Sequence, residues 1–152
     1  MNLKIVRTTP ENPDFQKLIS LLDSALAINN GNQNDFFASH NKTDNVRNAI
    51  VAYLDEIPVA TGAIKPYSEV KIEIKRMFVH PDFRGNGIAS CVLDELENWA
   101  RELGFHEAIL ETGTKQTEAL GLYPKKGYEI TPNYPPYENS EMSVCMCKNL
   151  IS

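Results

Sequence analysis

A pair of glycines between a strand-like run and an amphipathic helix is the feature that most restricts how this chain can fold. Gly85 and Gly87 are separated by one residue, and glycine at both positions indicates a backbone bent into a conformation that other residues resist. Apolar residues then recur at helical spacing, and Gly104 follows as a helix-ending residue. The spacing predicts a helix over 88–103 that begins at the glycine turn. Its apolar residues are Ile88, Ala89, Val92, Leu93, Leu96, Trp99, Ala100 and Leu103.

A helix that begins at a glycine-rich turn can bind an anion, because its first N–H groups lack partners and carry about half a positive charge. No Gly-Lys-Ser/Thr follows, so the P-loop pattern is absent. A dinucleotide-binding turn is an alternative, since Gly85-x-Gly87-x-x-Ser90 approximates G-x-G-x-x-G and Glu111 ends the next predicted strand. Three observations argue against it: the third glycine is missing, the preceding strand is charged, and HPDFR separates that strand from the first glycine. A purely structural tight turn is a further alternative.

The pattern of apolar residues and turn residues along the rest of the chain predicts one domain over 1–152 of the α/β (α+β) class. We expect a mixed, mostly antiparallel central sheet of about seven strands, flanked by about four helices. Asn12 is the predicted N-cap of the first helix and Pro13 its first residue. Strands are predicted over 3–9, 49–55, 59–65, 69–79, 106–112, 127–133 and 143–149. Helices are predicted over 11–29, 88–103 and 117–126, with a short one around Phe36 and Phe37.

Composition limits the classes of function. A net charge of −5 argues against nucleic-acid binding, which needs a basic face to neutralise phosphates. No apolar run is long enough for a transmembrane helix, and residues 1–15 lack the apolar stretch of a signal peptide. We therefore expect a cytoplasmic chain without a membrane or nucleic-acid partner. Cys91, Cys145 and Cys147 have no partners at metal-binding spacing, so neither a disulfide framework nor a metal site is expected.

Two motifs, one at the start of the predicted helix and one downstream, resemble those of a known family. Arg84-Gly85-Asn86-Gly87-Ile88-Ala89 matches the R/Q-x-x-G-x-G/A signature of the GNAT superfamily of N-acetyltransferases. The downstream segment ALGLYPKKGY, residues 119–128, resembles the family's A-x-x-L-Y-x-x-x-G-F/Y segment. The first motif alone is loose, but the two together at this separation are specific. The order of predicted elements is also similar to the family's order.

The resemblance implies an acetyl-CoA site built mainly from the main chain. In relatives, successive amides at the signature bind the pyrophosphate, which assigns that role to 84–89. The fourth strand of the family is splayed from the fifth and its backbone pairs with the pantetheine arm, which implies this role for Met77, Phe78 and Val79. An amide there can polarise the thioester carbonyl. Gln116 stands where relatives often have an asparagine that bonds the pantetheine, so the chain departs from the family pattern there.

The resemblance also implies a catalytic role for Tyr123, which matches the position where many members place a tyrosine near the thioester sulfur. A phenol with a pKa near 10 can donate a hydrogen bond or a proton to a thiolate whose conjugate acid has a pKa near 8.5. Tyr123 also belongs to the implied cofactor contacts. The alternative is an aromatic side chain that only packs beneath the cofactor.

Two carboxylates compete for the role of general base, because an alkylammonium cannot attack until it loses a proton. Glu73 lies eleven residues before Arg84, where some relatives carry such a glutamate. Strand alternation puts Glu73 on the same face as Met77 only if no bulge intervenes, and a bulge is expected where the strand meets the cofactor. Glu111 ends the strand opposite the splay, where an acid can act as a base or bind the acceptor's ammonium. A solvated strand glutamate is the alternative for Glu73.

The acceptor side of the site is the least defined by sequence. Tyr134 and Tyr137, with prolines between them, form a stiff aromatic loop between the last two strands. Phe36 and Phe37 are expected on the opposite wall, and Glu111 is the expected ligand of an ammonium group. Aromatic loops of this kind also occur as plain packing, so the sequence identifies no particular amine.

The expected function is therefore that of an acetyl-CoA-dependent N-acetyltransferase, an acyltransferase that uses no metal. The expected acceptor is a primary amine of a small molecule that attacks directly in a ternary complex. A protein or peptide acetyltransferase is one alternative, and a non-catalytic acyl-CoA-binding module is another. Relatives often dimerise, so the resemblance also admits a homodimer.

Overall fold

The computed structural model describes residues 2–30 and 46–151. In these residues seven strands form one sheet, and three α-helices pack on it. The strands are β1 (Leu3–Thr8), β2 (Asn48–Leu54), β3 (Ile57–Pro66), β4 (Lys71–Val79), β5 (Glu107–Gly113), β6 (Glu129–Thr131) and β7 (Ser143–Asn149). The helices are α1 (Pro13–Asn30), α2 (Ile88–Glu102) and α3 (Thr117–Lys125), with a 3₁₀ turn at Pro81–Phe83.

The sheet has the order β1-β2-β3-β4-β5-β7-β6. All neighbouring strands are antiparallel except β4 and β5, which are parallel. The parallel pair is short, because only Lys71 to Glu73 of β4 pair with residues 107–109 of β5. From there to the carboxyl ends of both strands, no pairing joins them in the described part of the chain. The two strands are therefore splayed apart, and a cleft opens in the middle of the sheet.

Each face of the sheet has its own apolar core. The α2-side core contains Val92, Leu93 and Leu96 of α2 packed on apolar side chains of the central strands. The α1-side core contains Phe15 and Leu18 of α1. Since alternate residues of a strand face opposite sides of a sheet, membership of these two cores shows which way each strand residue faces.

A bulge in β4 reverses this alternation. Ile72 and Ile74 belong to the α2-side core, and Met77 packs against the same core, three residues after Ile74 rather than two or four. The register against β3 shifts at the same place, and the extra residue is Arg76, whose φ is 58°. The hydroxyl of Thr61 donates to the Arg76 carbonyl at 2.8 Å and stabilises the bulge. Glu73 and Met77 consequently face opposite sides of the sheet.

The predicted fold class, strand count and splayed fourth and fifth strands are confirmed. Asn12 caps α1 as predicted, since its Oδ1 accepts from the amides of Asp14 at 2.8 Å and Phe15 at 3.4 Å. The helix count differs from about four, because the described residues form three α-helices and one 3₁₀ turn. The predicted short helix around Phe36 and Phe37 lies outside the described residues.

Candidate active site

The turn before α2 presents a row of main-chain N–H groups without acceptors in the described part of the chain. Gly85 and Gly87 have φ values of 83° and 75°, a left-handed conformation that residues with a Cβ resist. Gly87 is the N-cap of α2. The first amide to bond back into the helix is that of Cys91, which donates to the Gly87 carbonyl at 3.2 Å. The N–H groups of residues 85–90 can therefore bind an anion at the positive end of the helix.

Arg84 fastens this turn to its neighbours. Its Nε donates to the Val79 carbonyl at 2.9 Å, and its Nη1 lies 3.5 Å from Glu118 Oε1. Its own amide donates to the Pro81 carbonyl at 3.4 Å. The row of amides available to an anion therefore begins at Gly85, and the Arg84 side chain stabilises the turn through Val79 and Glu118.

The other side chains of the turn stabilise it locally. Asn86 Nδ2 donates to the Phe83 carbonyl at 3.1 Å. Ile88 is buried in the α2-side core, and Ala89 is half-buried at the start of the helix. Phe78 is buried in the α1-side core. These side chains hold the main chain in place, so the amides of the turn remain available to a ligand.

The cleft between β4 and β5 contains a cavity of about 150 Å³. Met77 lies on its β4 wall, and Val79 at the end of the strand packs against the α2-side core. Gln116, which precedes α3, lines the same cavity. Among the described residues, the lining consists of residues 74–77 of β4, residues 111–113 of β5, Gln116, Ala119, Tyr123, and Leu22 and Leu26 of α1.

Tyr123 on α3 is a buried phenol at the wall of this cavity. Its side chain is 6% exposed, and its ring meets that of Tyr128 edge-on with centroids 5.6 Å apart. Its hydroxyl has no hydrogen-bond partner among the residues that the structure describes. Burial raises the pKa of Tyr123 above its ordinary value, so the phenol remains a proton-bearing donor. A buried donor without a protein acceptor is available to a ligand in the cleft.

Glu111 on β5 faces the cavity from the wall opposite β4. Its Oε2 accepts a hydrogen bond from the Ser143 hydroxyl at 2.7 Å. Burial raises the pKa of Glu111 to about 7, although the Ser143 hydrogen bond and the positive charge of Lys75 oppose the rise. A carboxyl group with a pKa near the working pH is suited to general base catalysis.

Glu73 lies on the same face as Glu111, away from α2. It is 6% exposed, and its Oε2 accepts a hydrogen bond from the Tyr134 hydroxyl at 2.7 Å. Its Oε1 lies 3.9 Å from Lys75 Nζ. Glu73 does not line the cavity, whereas Glu111 does. The negative charge of Glu73 contributes to the raised pKa of Glu111, so the two carboxylates interact.

The aromatic loop predicted between the last two strands covers this face of the sheet. The ring of Tyr134 packs edge-on against those of Tyr67 and Tyr137, with centroids 5.1 Å and 5.7 Å apart. Tyr137 is 3% exposed, so the loop is packed rather than extended into solvent. The other predicted wall, Phe36 and Phe37, lies outside the described residues.

Three residues of the site were not identified from the sequence. Lys75 and Arg76 line the cavity from β4, and Arg76 is the bulge residue, which no local pattern locates. Ser143 lies thirty-two residues from its partner Glu111. Only the antiparallel pairing of β5 with β7, which places residue 113 opposite residue 143, brings them together.

Comparison with known proteins identifies the family. The acetyltransferase (GNAT) family profile matches residues 15–128, a span that includes both sequence motifs and the β4–β5 cleft. The chain therefore belongs to the GNAT family of acetyltransferases.

Individual relatives agree with this assignment. An IAA acetyltransferase of Azospirillum brasilense is 38% identical over 78 residues, which cover 51% of each protein. The matched segments span about half or less of the length of such curated relatives. A solved structure described as an acyl-CoA N-acyltransferase, from Klebsiella pneumoniae, has a TM-score of 0.81 and 29% identity, with 98% of both chains covered. A GNAT family acetyltransferase of Elizabethkingia anophelis, solved with acetyl-CoA bound, shares the fold, with a TM-score of 0.69, 20% identity and 97% and 98% coverage.

Within residues 2–30 and 46–151, no helix has the length and apolarity needed to span a membrane. The same residues contain no group of three or more His, Cys, Asp or Glu side chains placed to hold a metal ion.

Proposed function

We propose that the chain is an acetyl-CoA-dependent N-acetyltransferase that transfers the acetyl group to a primary amine of a small molecule by direct attack in a ternary complex. One observation carries this proposal: Tyr123 and Glu111 line the same cavity in the splayed part of the sheet. A donor for the departing sulfur and a base for the attacking nitrogen therefore lie on the walls of one small volume.

The residues present fit acetyl-CoA as the cosubstrate. The N–H groups of residues 85–90 match a pyrophosphate, because they combine unpaired donors with the positive end of α2. In residues 2–30 and 46–151, no strand pairs with the edge of β4 from Ile74 to Val79 on its β5 side, so this edge can pair with an amide-containing arm such as pantetheine. Gln116 adds a side-chain amide on the cavity wall. Acetyltransferases of this fold have been solved with acetyl-CoA or CoA bound, which supports the same choice.

Glu111 is the proposed general base. Its carboxylate removes a proton from the acceptor's ammonium group, directly or through one water, and the freed nitrogen lone pair then forms a bond to the thioester carbonyl carbon. The carbon–sulfur bond breaks and its electron pair leaves with the sulfur. Because the pKa of Glu111 is about 7, a large fraction of the carboxyl is ionised at neutral pH.

Tyr123 is the proposed donor to the leaving sulfur. Its pKa lies above the ordinary phenol value, whereas a thiol has a pKa near 8.5, so complete proton transfer from phenol to thiolate is uphill. The phenol therefore acts mainly through a hydrogen bond that stabilises the developing thiolate. The nitrogen is still cationic after the attack and loses a second proton to solvent as the amide forms. Solvent supplies the proton that completes the thiol, and Glu111 returns the first proton to solvent, so one proton is released per turnover.

Thiol release measured over a panel of amino acids, polyamines, aminoglycosides and peptides tests the proposal. We expect CoA thiol to appear at a rate that depends on a free small-molecule amine, with one acetylated amine formed per thiol. Calorimetry with CoA measures cofactor binding in the same samples. Binding of CoA without thiol release from any acceptor would show a non-catalytic module, and release with peptides alone would show a peptide acetyltransferase.

A further inference from the structure

Two cationic side chains line the cleft on the wall opposite Glu111. Lys75 and Arg76 are consecutive residues of β4, and both contribute to the cavity that Glu111 lines from β5. Their side chains are only 9% and 15% exposed. The cleft therefore has a carboxyl group on one wall and two positive charges on the other.

The cluster of acidic and aromatic side chains beside the cleft already holds a cation of the chain itself. Lys75 Nζ lies 3.3 Å from the Tyr137 hydroxyl, 5.9 Å from the centre of the Tyr137 ring and 3.9 Å from Glu73 Oε1. An aromatic ring with a nearby carboxylate is the type of site that otherwise recognises a ligand ammonium group. Because Lys75 occupies it, this cluster does not favour an acceptor with a second positive charge.

Arg76 is held in an unfavourable backbone conformation at the cavity. Its φ of 58° lies in the left-handed region, which is unfavourable for a residue with a side chain and is found mainly at active sites and ligand-binding positions. The Thr61 hydroxyl stabilises this conformation through the Arg76 carbonyl. Its guanidinium lies 3.3 Å from Asp23, but the side chain of Asp23 is 57% exposed. A solvent-exposed ion pair of this kind is weak.

The space between the charged walls is partly apolar. Leu22 and Leu26 of α1 line it together with Ile74 and Met77 of β4. A ligand that fills this cleft therefore needs an amine at the β5 wall, an anionic group at the β4 wall and apolar atoms facing α1.

We propose that the acceptor is an amino acid with an apolar side chain, whose carboxylate is bound by Lys75 and Arg76 while its amine lies at Glu111. This inference rests on the proposed acetyltransferase function of the same cleft. Arg76 offers a planar pair of N–H donors that matches a carboxylate, and Lys75 adds a point charge. Peptides and polyamines are poor acceptors on this basis, because the former lack the adjacent carboxylate and the latter add positive charge.

Matched acceptors that differ only in the anionic group test the proposal. Phenylalanine, phenylalanine amide and phenethylamine share one apolar side chain, and the amide controls for the lower basicity of an amino-acid amine. We expect kcat/KM for phenylalanine to exceed that for both others by about ten- to a hundred-fold, the range given by a hydrogen-bonded charge pair. Leucine and 3-methylbutylamine provide a second pair with an aliphatic side chain.

Variants of the two cations locate the effect. Arg76→Met and Lys75→Met should each raise KM for phenylalanine about ten-fold or more and reduce by a similar factor the preference in kcat/KM for phenylalanine over phenethylamine. Arg76→Lys should restore part of the preference, which a purely structural role of the bulge would not predict. Lys71→Met is the matched control, because Lys71 lies on the same strand, pairs with Glu107 outside the cleft and is 46% exposed. It should leave the preference unchanged.

Two results would overturn the inference and leave the proposed function intact. One is a wild-type protein with equal kcat/KM for phenethylamine and phenylalanine. The other is a set of variants that keep the wild-type ratio of these two values. Calorimetry with phenylalanine and phenethylamine in the presence of CoA gives a second measure that does not need turnover. Preferential binding of phenylalanine that is lost in Arg76→Met, without thiol release, would refute the acetyltransferase function but support the carboxylate site. Equal binding of the two compounds would refute the carboxylate site.

Discussion

Replacing Glu111 with glutamine should stabilise the fold and at the same time remove activity. Burial raises the pKa of Glu111 from the ordinary value of 4.5 to about 7. A rise of this size means that the ionised side chain costs the folded state about 3 kcal/mol. Because the residue is half-buried and keeps some contact with solvent, we expect about 2 kcal/mol after screening. Glutamine avoids this cost and can keep a hydrogen bond with Ser143.

The dependence on pH follows from proton linkage. Below about pH 4.5 Glu111 is protonated in the folded and the unfolded chain, so wild type and Glu111→Gln should have similar stability. As the pH rises from about 4.5 to about 7, the unfolded chain releases this proton while the folded chain retains it. The stability of the wild type therefore falls relative to the variant over this window, and the difference stays constant above it.

Urea unfolding at pH 4, 6 and 8, followed by the fluorescence of Trp99, measures this difference directly. The free energy of unfolding of Glu111→Gln should exceed that of the wild type by about 2 kcal/mol at pH 8 and by much less at pH 4. Glu129→Gln, at an exposed position of the edge strand β6, controls for the change in net charge. A difference that does not change with pH, or a wild type that is the more stable at pH 8, would refute the assignment of a buried, proton-retaining Glu111.

Three further substitutions test separate parts of the site. Tyr123→Phe should lower kcat about ten- to a thousand-fold while CoA affinity in calorimetry stays within about two-fold; a full-rate variant would remove Tyr123 from the chemistry. Gly87→Val should weaken CoA binding at least ten-fold, because φ at this position is 75° and a β-branched residue resists it; unchanged affinity would contradict the anion-binding turn. Gly62→Ala should lower the free energy of unfolding by about 1–3 kcal/mol, because a Cβ there lies 2.7 Å from side-chain atoms of Val92 and Leu96; a neutral effect in urea unfolding would contradict this packing of α2 on β3.

The parts of the fold that depend on local patterns were predictable from the sequence. The glycine turn and the periodicity after it predicted a helix over 88–103, and α2 spans Ile88–Glu102. The alternation of apolar and polar residues, together with flanking turn residues, located the strands. The predicted strand over 143–149 matches β7. These features are predictable because their causes lie within a few residues of each other along the chain.

The contacts of the site depend on pairings between distant segments, and the sequence could not supply them. Tyr134 was predicted to form part of the acceptor pocket, but its hydrogen bond to Glu73 requires the loop after β6 to fold over β4. The partner of Glu111 is Ser143, which is brought close only by the pairing of β5 with β7. Nothing in the local sequence of either segment indicates these partners, because each arises from sheet topology.

The bulge at Arg76 bears on two questions that the sequence left open: which carboxylate is the base, and what recognises the acceptor. If β4 alternated regularly, Glu73 would share a face with Met77. The extra residue reverses the alternation, so Met77 packs on the α2 side while Glu73 lies on the opposite face with Glu111. Lys75, just before the bulge, and Arg76 within it both line the cavity. Glu111 is favoured over Glu73 as the base because Glu111 lines the cavity and Glu73 does not, and Lys75 with Arg76 forms the positive wall that an amino-acid acceptor requires.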